Sequence, residues 1–181
     1  MPYDPPPDLA ALSLADIADL VAARRLPPVA EWSPEAEGDS EMRIAADGRW
    51  YHQGGEIRRP AMVRAFASLL TCDAEGQHWL VTPTQRLTIE VEDAAFMAID
   101  IKQEKDALAF RLNTDELVIA GPDHPIVAEG DPDTPALYIG VRNGTRARLD
   151  RSTYAQLAEI AIDNGDLTVQ SMGLRFALVP A

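Results

Sequence analysis

From Met42 onward the sequence runs in short stretches of alternating apolar and polar residues, each closed by turn formers. A period of two of this kind leaves few alternatives to antiparallel sheet. The stretch "IAADGRWY" carries the Asp47-Gly48 hairpin signal, and "HWLVT", "RLTIEV", "AFMAIDIKQ", "LAFRLN", "LVIA", "LYIGV", "TRARL", "LTVQ" and "LRFALV" follow as strands. Two helical stretches interrupt them, Pro60 to about Thr71 and Ser152 to about Asp163.

The N-terminal part reads differently. In "SLADIADLVAARR", Ser13 is placed to cap a helix with Asp16 three residues on, and Leu14, Ile17, Ala18 and Val21 form its apolar stripe. This helix is expected to cover the domain. The proline-rich start and the acidic "LPPVAEWSPEAEGDSE" read as tethers around it.

The helices expose an internal repeat. In the first half a strand, Gly54-Gly55, a second strand and "PAMVRAFASLL" follow in order; in the second half "LYIGV", Asn143-Gly144, "TRARLD" and "RSTYAQLAEIA" do the same. Aligning the helices sets Val63 on Tyr154, Phe66 on Leu157 and Leu69 on Ile160, an apolar series with helical spacing in both. The expected fold is therefore α+β, mostly antiparallel β. It has two duplicated hairpin-helix β-rich subdomains, residues 32–93 and 94–181, behind an N-terminal helix and tether over residues 1–31. Asn143-Gly144 occupies the place of Gly54-Gly55, so both pairs read as turns needing positive φ rather than as a phosphate cradle. Neither "GxxxxGK" nor "GxGxxG" occurs.

For the second hairpin a loop of Arg142-Asn143-Gly144, a type I turn ending with glycine in the left-handed region, puts Leu137, Ile139, Val141, Ala147 and Leu149 on one face. Tyr138, Gly140, Arg146 and Arg148 then share the other, and Gly140 leaves room between an aromatic ring and two guanidiniums for a flat ligand.

Charge sharpens this expectation. The chain has 181 residues, 46% of them hydrophobic, with a net charge of -13, which disfavours nucleic acid and anionic membrane as partners. No secretion signal or apolar run of membrane-spanning length is visible, so a soluble cytoplasmic protein is expected. Yet residues 49–64 and 136–151 together hold 8 of the 16 basic residues and 2 of the 29 acidic ones. Each cluster lies at the start of a helix, where the macrodipole already disfavours cations. An anion docked there would reconcile the two, since arginine offers bidentate hydrogen bonds to phosphate or carboxylate. The alternative is that these arginines pair with acids elsewhere and hold the two halves together.

Other chemistry is thin. Cys72, the only cysteine, reads as packing at a helix end; His52, His78 and His124 are scattered without metal-ligand spacing, and His124 before Pro125 caps a strand. The carboxylates of "VEDAAF" and "GDPDTP" read as solvated turns. No "GxSxG" is present, and no metal or cofactor is implied.

The ordered set "ADGRWYHQG", "IRRPAMVRAFASLL", "WLVTP", "VEDAAF", "DHP" and "VRNGTRARLDR" resembles the bacterial family called domain of unknown function 1285, from about Trp32 to Ala161. The resemblance implies two related β-rich subdomains, the second loosely pleckstrin-homology-like. It also implies a ligand pocket between them, with a nucleotide-like ligand and a signalling role. Arg59, Thr82, Pro83, His124 and Arg142 match family positions, whereas Gln85 stands where the family commonly has glutamate. That departure argues against catalysis.

The expectation is thus a binding module for an anionic small molecule, nucleotide-like by resemblance, with oligomeric state left open. Its site would draw on Arg59, Arg64, Thr82, Gln85, Arg86, His124, Tyr138, Arg142, Arg146, Arg148 and Arg151. The alternatives are an enzyme acting on a phosphorylated small molecule and a scaffold binding an acidic protein segment.

Overall fold

In the computed structural model, which describes residues 11–23 and 26–181, the first helix, α1 (Leu14–Ala23), begins at a reciprocal cap. The Ser13 hydroxyl accepts from the Asp16 N–H at 3.1 Å, and the Asp16 carboxylate accepts from the Ser13 N–H at 3.2 Å. Ile17, fully buried, carries α1 onto Ala109, Leu117 and Ile119. The expected proline-rich start and the Arg24-Arg25 end of the helix lie outside the described residues.

Six strands make the first sheet: β1 (Ala36–Ile44), β2 (Trp50–His52), β3 (Gly55–Glu56), β4 (Leu70–Cys72), β5 (His78–Val81) and β6 (Gln85–Val91), in the order β3-β2-β1-β6-β5-β4. Helix α2 (Pro60–Ala67) joins its two meanders, and β1 runs parallel to β6 at the centre. The second sheet repeats the scheme with β7 (Phe96–Glu104), β8 (Ala107–Leu112), β9 (Leu117–Ile119), β10 (Ile126–Glu129), β11 (Ala136–Gly140) and β12 (Arg146–Leu149). Its order, β10-β11-β12-β7-β8-β9, again sets the first and last strands parallel at the centre. Helix α3 (Arg151–Asn164) and the hairpin β13 (Thr168–Ser171) and β14 (Leu174–Ala177) follow. The fold is α+β with duplicated subdomains.

The repeat is larger than the hairpin-helix unit that aligns in the sequence. In strand order the Gly54 hairpin joins the second and third strands of its sheet, whereas the Asn143-Gly144 hairpin joins the fifth and sixth. The helices differ likewise, α2 lying between meanders and α3 after both. Helical periodicity matched two helices that topology keeps apart.

Other differences have physical causes. The acidic "PEAEGDSE" is not a tether: Ala36–Asp39 pairs in parallel with Gln85–Thr88, and Glu37 lies opposite Arg86, which binds its carboxylate. Helix α2 stops at Ala67, four residues early, because Leu70 is fully buried and pairs with Leu80 as a strand. Cys72 therefore sits half-buried on β4, not at a helix end. Strand β10 is absent from the sequence-derived strands because the runs around it are short and broken by Pro125 and Gly130.

The second-hairpin register is as expected, with Leu137, Ile139, Val141, Ala147 and Leu149 all buried. The turn differs: Asn143 at φ 50° and Gly144 at φ 80° make both central residues left-handed, so the turn is of type I′. At the first hairpin Gln53 (φ 50°) and Gly54 (φ 83°) share that role, and Gly55 is strand. One continuous core runs from Trp50, Ile44, Leu70 and Ile89 of the first sheet to Phe96, Phe110 and Ile139 of the second and on to Leu157 and Phe176. No described helix is long and apolar enough to cross a membrane.

Candidate functional site

The residues expected to form one site fall in several places. On the β5–β6 turn, Thr82 and Gln85 lock each other: the Gln85 carbonyl accepts from the Thr82 N–H at 2.9 Å, and the Thr82 hydroxyl accepts from the Gln85 N–H at 3.1 Å. Arg86, beside them, binds Glu37 and lies 4.1 Å from the Trp79 ring centroid. His124 is 2.9 Å through Nδ1 from the Gly140 carbonyl, tying the approach to β10 onto β11. Arg151 opens α3 and Arg59 precedes α2, both exposed; among the described residues neither has a carboxylate partner.

Tyr138, Arg146 and Arg148 do come together, around an acid that looked like a solvated turn. Asp93 accepts from the Tyr138 hydroxyl at 2.7 Å and from Arg148 at 2.5 Å, and its side chain is only 16% exposed. Burial pushes the Asp93 carboxyl up, but those two bonds outweigh it and hold it below the usual range. Burial and the same acid push the Tyr138 hydroxyl up. The slot envisaged for a flat ligand is filled from both sides. The Arg146 guanidinium stacks 3.7 Å from the Tyr138 centroid and pairs with Glu129 at 2.6 Å, and a Cβ on Gly140 would meet Pro125 at 2.9 Å. Cys72 and His78 pair directly across β4 and β5, near Arg146; burial pushes the thiol up and the imidazole down, so neither is primed as a nucleophile or acid at neutral pH.

The depressed Asp93 sets a pH dependence. A carboxyl held below its unfolded value stabilises the fold above the ordinary carboxylate range, and that contribution is lost as pH falls through the folded value. Asp93→Asn is therefore expected to lower the melting temperature by a few degrees at pH 7, from loss of about 1 to 2 kcal/mol of partly exposed charged hydrogen bonding, with the deficit shrinking toward pH 3. A deficit independent of pH between 7 and 3 would show that the Asp93 charge is not what stabilises the cluster.

Arg64 and Arg142 meet a segment that the sequence did not single out, the β8–β9 turn Asn113-Thr114-Asp115-Glu116. Asp115, at φ 69°, receives Arg64 of α2 at 3.1 Å. Glu116 receives Arg142, whose other nitrogen donates to the Ala67 carbonyl at 3.1 Å and whose guanidinium faces the Phe96 ring. Asn113 accepts from the Met97 N–H at 3.0 Å. Four consecutive polar residues between two strands are an ordinary turn in sequence; only the docking of α2 makes them a seam.

Beside this turn lies a cleft of about 420 Å³ with walls from both subdomains. Gly48, Arg49, Trp50, Glu56, Ile57 and Arg58 form one wall; Pro60, Val63 and Arg64 of α2 form its end; Asn113, Thr114 and Asp115 close it from the second subdomain. Trp50 Nε1 and Thr114 Oγ1, on residues 2% and 3% exposed, are buried without a hydrogen-bond partner. Leaving such groups unpaired costs about 1 to 3 kcal/mol each, and few occur in a folded chain. Arg49 and Arg58 belong to the basic cluster of residues 49–64 but were not among the expected site residues, nor was Trp50; the two orphan atoms have no sequence signal at all. The described residues contain no cluster of three or more metal-ligating side chains.

The model of the N-terminal domain of DUF1285, a domain of unknown function, matches residues 27–94, and that of the C-terminal domain of this family of proteins of unknown function matches residues 95–178. The chain belongs to the DUF1285 family. A crystal structure at 2.50 Å resolution of a DUF1285 family protein from Silicibacter pomeroyi DSS-3 is similar over 93% of this chain and 96% of that one, with 35% identity and a TM-score of 0.75. A second, at 1.40 Å, of a DUF1285 family protein from Shewanella baltica OS155, covers 65% of this chain and 90% of that one at 22% identity and a TM-score of 0.54, a likeness of fold. No curated protein matches. Both family models meet at residues 94 and 95, between the two sheets, so the cleft of this DUF1285 protein lies between its two family domains.

Proposed function

We propose that this DUF1285 protein is a binding module for a small anionic molecule, held in the cleft between α2 with the β2–β3 hairpin and the β8–β9 turn. The supporting observation is the gathering of three arginines, Arg49, Arg58 and Arg64, with the start of α2 around one cleft between the two subdomains. Binding needs no reacting group, and the lining contains neither histidine nor cysteine. Because each subdomain supplies a wall, occupancy couples to their relative placement, which suits the signalling role that the family resemblance implies.

The arginines are ion-paired, and this constrains the proposal. Arg58 meets Glu56 at 3.2 Å with 84% of its side chain exposed, and an exposed pair of that kind contributes about 0 to 1 kcal/mol. A ligand displaces it at little cost. Arg58→Ala therefore separates the two uses of the arginines: apo stability should stay within about 1 kcal/mol, while ligand binding weakens about tenfold or more.

A thermal-shift screen of small phosphates, nucleotides and carboxylates provides the test. Ligand at about 100 times its dissociation constant adds roughly 2.7 kcal/mol, a rise of about 5 to 10 °C for a chain of this size. Arg58→Ala should erase most of that rise. If no anion moves the parent by as much as about one degree, or Arg58→Ala responds just as far, the cleft is not an anion site and the arginines serve only as salt bridges.

A further inference from the structure

The outer face of the second sheet carries α1 without being completed by it. Residues opposite one another on neighbouring strands share a face, so Lys102, Ala109 and Ile119 lie with Arg111 and Leu117 on one side of β7, β8 and β9. Ile17 seats α1 there on Ala109, Leu117 and Ile119, with Leu12 and Val21 alongside. The contact is small. Of the described α1 side chains only Ile17 is fully buried, and its cluster is separate from the continuous core. α1 also precedes both matched family spans, residues 27–94 and 95–178, whereas the strands beneath it belong to the second.

The two cations on this face fare differently. Lys102 anchors the start of α1 by donating to the Leu12 carbonyl, and it meets Glu104 at 3.7 Å. The bonds from Ser13 hold the Asp16 carboxyl below its usual range, and the Lys102 charge adds to them. Arg111, half-buried, has no hydrogen bond or ion pair among the described residues. Its Nε is buried unpaired, its terminal nitrogens are not enclosed, and Asp100 opposite turns Oδ1 to the Ile101 N–H at 2.9 Å. A guanidinium in this state favours an occupant that brings a carboxylate to it.

Going beyond the cleft, we propose that this face is a docking site for an amphipathic helix of a partner protein, and that α1 is its resident occupant. The partner helix has the chemistry of α1, an apolar stripe at helical spacing behind an acidic first turn, and adds one carboxylate placed to meet Arg111. A helix on the same chain acts at an effective concentration of about millimolar, so the partner must outcompete α1.

The test uses the isotope-labelled full chain and a synthetic peptide of residues 11–23. Ile17→Asp, or Val21→Asp if that variant departs from the native spectrum, is expected to lift α1 and leave the separate core intact. The peptide should move the Ala109, Leu117 and Ile119 amides saturably and bind the opened chain at least about tenfold tighter than the parent. Peptides carrying Ala11→Glu, Ala15→Glu or Ala18→Glu then vary the position of the carboxylate. One of them should bind the opened chain about tenfold tighter again, and Arg111→Gln in the chain should remove that gain. If the peptide binds the opened chain no tighter than the parent, or not at all at millimolar concentration, α1 is packing alone and the proposal fails. It fails as well if no glutamate peptide gains through Arg111. A parent chain found dimeric by light scattering, and made monomeric by Ile17→Asp, would make a second copy the occupant and overturn the partner assignment.

Discussion

Arg142→Ala is expected to lower the melting temperature by roughly 6 to 20 °C, the counterpart of about 3 to 5 kcal/mol for breaking a buried ion pair in a chain of this size. The reason is what remains. Arg142 and Glu116 are each only 12% exposed, so removing the guanidinium leaves a buried carboxylate on the β8–β9 turn and an unpaired carbonyl at Ala67. It also uncovers the Phe96 ring that the guanidinium faces. A double-mutant cycle with Glu116→Leu and Arg142→Leu separates these contributions. If the ion pair matters, the double variant loses less than the two single losses together, by about 2 kcal/mol, because an apolar pair does not strand a charge. Additive losses would mean that Arg142 acts through Ala67 and Phe96 and that Glu116 is incidental.

The second large effect separates two glycines that look alike in the sequence. Gly54 and Gly144 both have left-handed backbones, φ 83° and 80°, and both close a hairpin. Around Gly54 an added Cβ meets nothing within 4 Å. On Gly144 it would lie 2.2 Å from the Cys72 carbonyl oxygen and 3.2 Å from its carbon. Gly54→Ala should therefore cost only the left-handed strain, about 1 to 2 kcal/mol, a fall of roughly 2 to 8 °C. Gly144→Ala adds the separation of β4 from the β11–β12 turn and loss of the 2.9 Å bond from the Cys72 N–H to the Asn143 carbonyl. We expect about 3 to 5 kcal/mol in all, or roughly 6 to 20 °C. Equal falls for the two variants would mean that the turn does not dock on β4 as closely as described.

Both predictions concern the seam, where the sequence is least legible. Arg142 stood out in the sequence as a cation near a helix start, but its partners, Glu116 and the Ala67 carbonyl, lie 26 and 75 residues away along the chain. Asp93 looked like one more acid in a solvated turn until the fold brought Tyr138 and Arg148 to it from 45 and 55 residues on. The cleft shows the same gap. Arg64 was expected in the site, whereas its fellow lining residues Arg49 and Arg58 were counted in the same arginine cluster without being named as site residues, and nothing in the sequence marks Trp50 as lining a cleft.

What the sequence by itself determined is what depends on neighbours in the chain. The period of two from Met42, the serine-aspartate cap of α1, the left-handed Gly54 and the inward face of Leu137, Ile139, Val141, Ala147 and Leu149 are set by backbone sterics, capping and burial within about ten residues. The presence of two related halves was legible for the same reason, because a duplicated pattern repeats its local signals. Tertiary structure alone decided which strands meet. The acidic Ala36–Asp39 became a strand because β6 offered it a parallel partner with Arg86 opposite Glu37, and Leu70 left helix α2 because Leu80 buried it. It also decided that both sheets share one six-strand order and that the repeat is that order rather than a hairpin and a helix. Pairing across long loops depends on burial and charge brought together from distant parts of the chain, and no local period records it.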